Sequence, residues 1–186
     1  MAAARTRRGF LRHGALLAAL AALGGCGFHP VYGRNPDGSV GPATRELANV
    51  TVSVIPGRPG MLLRQALQQR LEGDGSLTGA KYRLGVVFWI NGEGIAIQPD
   101  DNTTRVRLIA HANWTLQTNT TEPKTIQTGS ARDVDAFDIL NQQYFAADLE
   151  NEAVTKRMAE AIASQITLQL ASWFDEHPDA ARAAEQ

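Results

Sequence analysis

The chain has 186 residues, of which 44% are hydrophobic and 20% charged, and its formal net charge is −1 at pH 7. This composition fits one globular domain and excludes a disordered or collagen-like chain. Without residues 1–25, which hold four arginines and no acidic residue, the chain has 14 basic and 19 acidic side chains, a net charge of −5. A chain of this charge is a poor candidate for tight, non-specific nucleic-acid binding, and a single cysteine excludes an internal disulfide.

The N-terminus predicts an export signal over residues 1–25. Its arginines precede the nine-residue apolar run Ala15–Leu23, which as a helix of ~1.5 Å per residue spans only about half of a bilayer core. The run ends in Leu-Gly-Gly-Cys at 23–26, which resembles the bacterial lipobox. In that pattern Cys26 is S-diacylglycerylated, cleavage precedes it, and its new amine is N-acylated, for example with palmitate. The alternative is a buried structural cysteine.

Residues near Cys26 bear on export and destination. Gly27 stands where the inner-membrane retention signal of enteric lipoproteins has Asp, which favours lipid anchoring in the outer membrane, facing the periplasm. Two or three acyl chains make a stable anchor. Arg7 and Arg8 resemble a twin-arginine export motif, with an ordinary basic region as the alternative.

The mature chain changes its hydrophobic period along its length. Residues 26–48 are rich in Gly, Pro and polar residues and predict an extended, lipidated tether, with a domain at 49–175 and a flexible tail at 176–186. Residues 57–60 and 92–94 read as turns. The periodicities predict a strand at 50–54, a helix at 61–72, strands at 81–90, 103–117 and 124–134, and a helix from 144 to about 174.

This order, β-α-β-β-β-α, predicts an α+β fold. The helix between the first two strands places them parallel, and the later strands follow as a meander. Each helix has one apolar stripe, so both are expected on the same sheet face. The prediction is a two-layer sandwich of a four-stranded mixed sheet with two helices on one face.

Catalytic signatures are missing from the sequence. It has no Gly-x-Ser-x-Gly elbow, His-Glu-x-x-His pair, Walker loop or Gly-x-Gly-x-x-Gly. The acidic residues Asp133, Asp135 and Asp138 could bind a cation, but a solvated loop is the simpler interpretation. We therefore predict no enzyme, no catalytic residue, no metal site and no cofactor beyond the acyl groups on Cys26.

Two stretches carry a family resemblance. The Cys-Gly-Phe-His-Pro-Val-Tyr-Gly run at 26–33 and the Tyr-Phe-Ala-Ala-Asp-Leu-Glu-Asn-Glu-Ala run at 144–153 are similar to the LPS-assembly lipoprotein family (LptE, or rare lipoprotein B), especially its alphaproteobacterial branch. The resemblance implies an outer-membrane lipoprotein that plugs the LPS-assembly β-barrel LptD, helps it to assemble and contacts lipopolysaccharide. A chaperone or pilot for another outer-membrane assembly, such as a secretin, is the alternative.

Lipopolysaccharide carries phosphates and acidic sugars, which basic side chains bind. Four basic residues lie at odd positions on or beside neighbouring predicted strands and are candidate lipopolysaccharide contacts: Lys81, Arg83, Arg105 and Arg107. Trp89 also lies at an odd position, and two interpretations of its role are open: packing in the core and contact with the barrel. The polar face of strand 103–117 suits a polar barrel lumen, although a face wetted by periplasmic water is the simpler interpretation.

Overall fold

The computed structural model describes residues 41–71, 79–97, 103–139 and 144–177. The predicted signal peptide, Cys26 and most of the predicted tether and tail lie outside the described residues. The elements in chain order are α1 (Pro42–Leu47), β1 (Val50–Val52), α2 (Gly57–Leu71), β2 (Tyr82–Ile97), β3 (Thr103–Thr118), β4 (Thr125–Asp138) and α3 (Tyr144–Glu176).

The four strands form one mixed sheet in the order β1-β2-β3-β4. β1 is parallel to β2, with Val50 opposite Tyr82 and Val52 opposite Leu84. The pairs β2–β3 and β3–β4 are antiparallel and extend over most of each strand. The predicted α+β fold with a four-stranded mixed sheet is therefore confirmed.

The core lies between the sheet and the two long helices. Even-numbered residues of β2 and β3 face the helices, and those at 82–86 and 108–118, such as Leu84 and Ala110, are buried. α3 contributes its stepped apolar side chains, including Ile162 and Ile166, which are fully buried. Trp114 of β3 donates from Nε1 to Oε1 of Gln169 on α3 at 2.9 Å. The helices pack on one sheet face, as predicted from their single apolar stripes.

Two short segments differ from the sequence prediction. Residues 42–47, predicted within the tether, form helix α1, because Pro42 suits a first helical turn and Ala43 and Leu47 are buried in the core. Residues 57–60, predicted as a turn, form the first turn of α2. Gly60 is required there, since a Cβ at this position would lie 2.7 Å from Cγ2 of Ile55.

The turn predicted at 92–94 is also wrong. β2 continues through it to Ile97, with Glu93 opposite Arg107 and Gly94 opposite Val106. The strand persists past its glycines because β3 supplies a regular partner, and the ladder becomes irregular only between Gly94 and Ile97. β4 likewise reaches Asp138, four residues beyond its predicted end, and α3 ends at Glu176, the first residue assigned to the tail.

Within the described ranges, no helix is both long and apolar enough to cross a membrane.

Candidate functional site

The sheet face opposite the helices is the candidate functional surface, here called the open face. It is formed by odd-numbered residues of β2 and β3 and their partners on β4. Large apolar side chains lie on it among polar ones: Val87 is 66% exposed and Val134 48% exposed. A sheet face with this mixture can both hydrogen-bond and make apolar contacts.

Trp89 stands at the centre of the open face. Its ring is stacked on that of His111, with ring centroids 5.1 Å apart and planes 13° from parallel. Arg132 follows His111 in the same cross-strand row. Trp89 is 40% exposed, so the core-packing interpretation of this residue is wrong. β1 ends at Val52, opposite Leu84, so among the described residues no strand pairs with β2 beside Trp89.

The four candidate lipopolysaccharide contacts fall into two groups. Arg83 lies opposite Gln117, and Lys81 precedes β2 at the same end of the sheet. Arg107 lies opposite Glu93 near the other end, next to Arg105. Ten residues of β3 separate Arg107 from Gln117, about 34 Å at ~3.4 Å per residue. The structure therefore places these basic residues as two separate pairs and not as one patch.

The two groups differ in their charge environment. Nη2 of Arg107 lies 2.6 Å from Oε2 of Glu93, and Nη1 of Arg105 lies 3.6 Å from Oδ1 of Asp138. Arg83 instead donates to the neutral amide of Asn119 at 2.8 Å. Among the described residues, no carboxylate pairs with Arg83. The positive charge of Arg83 is consequently less compensated than those of Arg105 and Arg107.

The aspartates considered as cation ligands lie in β4 and not in a loop. Asp135 accepts from Nε and Nη2 of Arg157 at 3.1 and 2.9 Å, which ties β4 to α3. Asp138 pairs with Arg105 as described above. Within the described segments, no three His, Cys, Asp or Glu side chains lie close enough together to hold a metal ion.

Cys26, the predicted acylation site, lies outside the described residues. The sequence alone did not predict two features of the open face. One is the Trp89–His111 stack, and the other is the pairing of Arg105 and Arg107 with carboxylates. The alternation of β3 placed His111 on the polar face, but its partner depends on the β2–β3 register, which a single sequence does not fix.

Together, these elements define the class of the protein: a small two-layer α+β domain in which, within the described residues, helices cover one face of the sheet. The sequence profile of the LptE family, described as lipopolysaccharide-assembly, matches residues 47–170. The chain belongs to this family, which confirms the resemblance seen in the sequence. No curated protein that was compared matches the chain.

One solved structure with a TM-score above 0.5 shows the same fold. A candidate lipoprotein from Caulobacter crescentus CB15 is 24% identical, with a TM-score of 0.56 over 70% of this chain and 94% of that one. Rare lipoprotein B from Shewanella oneidensis is 17% identical, with a TM-score of 0.48 over 66% of this chain and 92% of that one.

Membership of this family establishes the general role of the protein. The chain is a lipopolysaccharide-assembly lipoprotein, associated with the outer membrane and with the lipopolysaccharide transport machinery. The LptE family is an assembly family and not a family of enzymes.

Proposed function

We propose that this lipoprotein occupies the lumen of the LPS-assembly β-barrel LptD as a plug. It helps that barrel to assemble and supports transport of lipopolysaccharide into the outer leaflet. The observation that carries the proposal is the open face, a long and largely hydrogen-bonding surface with one exposed tryptophan. Barrel lumens are polar, and a polar sheet face can exchange hydrogen bonds with such a wall.

The charge pairs on the open face support lumenal burial. A lone arginine costs several kcal/mol when it is removed from water, whereas a paired one brings its counter-charge. Arg105 and Arg107 each have an acidic neighbour on the adjacent strand. Those arginines can therefore enter a confined lumen without becoming isolated charges.

The lipid anchor belongs to the same proposal. Cys26 carries S-diacylglyceryl and N-acyl groups and holds the domain at the periplasmic side of the outer membrane. Mass analysis of the N-terminal peptide of the mature protein is expected to show a blocked, triacylated Cys26. An unmodified Cys26 with the signal still attached would contradict the anchor.

The test of the plug is affinity purification of the tagged, full-length protein from detergent-solubilised outer membranes. We expect a stoichiometric partner of large β-barrel mass, identified as LptD. Trp89→Ser is expected to reduce the recovery of LptD several-fold, whereas Leu168→Ser, which changes another exposed apolar residue, on α3, is expected to leave it unchanged. Elution without a barrel, or with a secretin, would refute the plug proposal. Elution with a secretin would favour the alternative, a pilot protein for another outer-membrane assembly.

The lipopolysaccharide contacts of Lys81, Arg83, Arg105 and Arg107 form a separate part of the proposal. Because Arg83 has the less compensated charge, Arg83→Glu is expected to weaken binding of purified lipopolysaccharide more than the double reversal of Arg105 and Arg107. Arg70→Glu is the control, since it makes the same charge change on the exposed side of α2. Equal binding by all of these variants would remove the assignment.

A further inference from the structure

Among the described residues, one edge of the sheet is unpaired along most of β2. The contacts with β1 end where Ser53 donates its N–H to the carbonyl of Leu84 at 2.9 Å. The N–H of Tyr82 also bonds toward β1, to the carbonyl of Asn49, so even-numbered residues of β2 direct their backbone groups to this side. From Val86 to Gly94, those groups meet no partner strand among the described residues.

The opposite edge of the sheet is protected. On β4, the Gln165 side chain accepts from the N–H of Arg132 at 3.4 Å and donates to its carbonyl at 3.1 Å. Gln169 donates to the carbonyl of Ser130 at 3.0 Å. Helix coverage of this kind is how proteins prevent edge-to-edge pairing. β4 also carries Asp133, Asp135 and Asp138, and charged residues discourage pairing further.

Within the part of the chain that the structure describes, the β2 edge has none of these protective features between Val86 and Asn91. The sequence there is Val-Val-Phe-Trp-Ile-Asn, without charge or proline. Val87 and Trp89 are exposed on the open face, while Phe88 and Ile90 are only partly buried on the helix side. A strand that pairs with this edge would therefore bury apolar surface on both faces of the sheet.

We propose that this edge pairs with the same edge of a second copy of the chain. In an antiparallel pair, residues that direct their backbone groups to the shared edge must lie opposite each other, which here requires even opposite even. β1 blocks the edge up to Leu84, so the second copy's β2 must end before it reaches that position. The longest overlap that satisfies both conditions places Asn91 opposite Asn91 across a two-fold axis.

This register is self-complementary in hydrogen bonds and in charge. Phe88 pairs with Gly94 of the second copy and Ile90 with Gly92, in each case exchanging two backbone hydrogen bonds. The only charged residue of β2 beyond Arg83 is Glu93, which lies opposite Trp89 and so meets no like charge. The interface is isologous, as in most homodimers, and joins two four-stranded sheets into one of eight strands. It requires no barrel partner.

Cysteine cross-linking tests the register on the full-length lipoprotein in detergent. At non-hydrogen-bonded antiparallel pairs the Cα atoms are ~4.5 Å apart, within disulfide range. Under mild oxidation, Asn91→Cys alone is expected to give a covalent dimer, Trp89→Cys alone none, and a mixture of Trp89→Cys with Glu93→Cys a heterodimer. The parent chain, which has Cys26 only, gives the background.

The controls and a second measurement make the result decisive. Val134→Cys lies on the same open face but on β4, and cross-linking through it as strong as through Asn91→Cys would overturn the proposal, as would no Asn91→Cys dimer above background. By sedimentation equilibrium with density-matched detergent, the parent chain is expected at twice its monomer mass. Val87→Lys is expected to raise the dimer dissociation constant at least tenfold, whereas Val134→Lys is not. If the parent chain sedimented with the mass of a monomer, the proposed dimer would be refuted.

Discussion

Adding one methyl group at Gly129 is expected to destabilise the whole domain. Gly129 lies on β4 directly opposite Trp114 of β3, whose indole lies against the glycine. A Cβ at residue 129 would lie 2.6 Å from Cε2 and 2.8 Å from Nε1 of Trp114, and closer still to Cζ2. Trp114 is only 3% exposed, so surrounding side chains restrict where its ring can move.

The magnitude follows from two costs. Overpacking a filled core costs typically about 1–3 kcal/mol. Displacing the indole also breaks the hydrogen bond from Nε1 to Gln169, worth about 0.5–1.5 kcal/mol. We therefore expect Gly129→Ala to lower the free energy of unfolding by about 2–4 kcal/mol. The loss is steric, because alanine is intrinsically at least as favourable as glycine in a strand.

Urea unfolding followed by tryptophan fluorescence measures this change. Gly85→Ala is the matched control, because it makes the same change within the same sheet and its Cβ would meet nothing closer than the Thr115 carbonyl oxygen at 3.9 Å. That variant is expected to stay within about 0.5 kcal/mol of the parent. If the two alanine variants had equal stabilities, the steric reasoning at Gly129 would be refuted.

The remaining two predictions concern α3. Phe174 is fully buried, with its ring centroid 5.2 Å from that of Tyr82, so Phe174→Ala is expected to cost about 3–5 kcal/mol; a loss under 1 kcal/mol in the same urea assay would contradict its place in the core. The buried Thr167 hydroxyl donates to the Ala163 carbonyl at 2.7 Å, which already accepts a helix hydrogen bond. Thr167→Val should therefore change the stability by less than about 1 kcal/mol, and a larger loss would show that the hydroxyl has a further role.

The elements that the sequence predicted well have long, uninterrupted periods. β3 alternates over its whole length and was placed at 103–117 against an observed Thr103–Thr118. α3 repeats an apolar residue every four positions and was placed to within two residues. In both, burial of one face determines the structure, and the same burial produces the pattern in the sequence.

The features that escaped prediction depend on partners distant in the chain. Helix α1 is six residues long, too short for a periodicity, although Ala43 and Leu47 are one helical turn apart. Gly92 and Gly94 weaken the strand pattern locally, and only pairing with β3 keeps them extended. The parity of Arg83, Arg105 and Arg107 assigned their common face correctly, but their separation along the sheet depends on the antiparallel register.

The glutamine contacts between α3 and β4 also determine how the long helix can move. Gln165 and Gln169 are four residues apart, a rise of about 6.0 Å along a helix, while Arg132 and Ser130 are two residues apart, about 6.8 Å along a strand. The two repeats nearly coincide, so both glutamines meet the strand only at one axial position of the helix. Sliding α3 by a turn would leave at most one glutamine opposite the strand, and rearrangements of the domain are therefore expected to carry α3 and β4 together as one rigid unit.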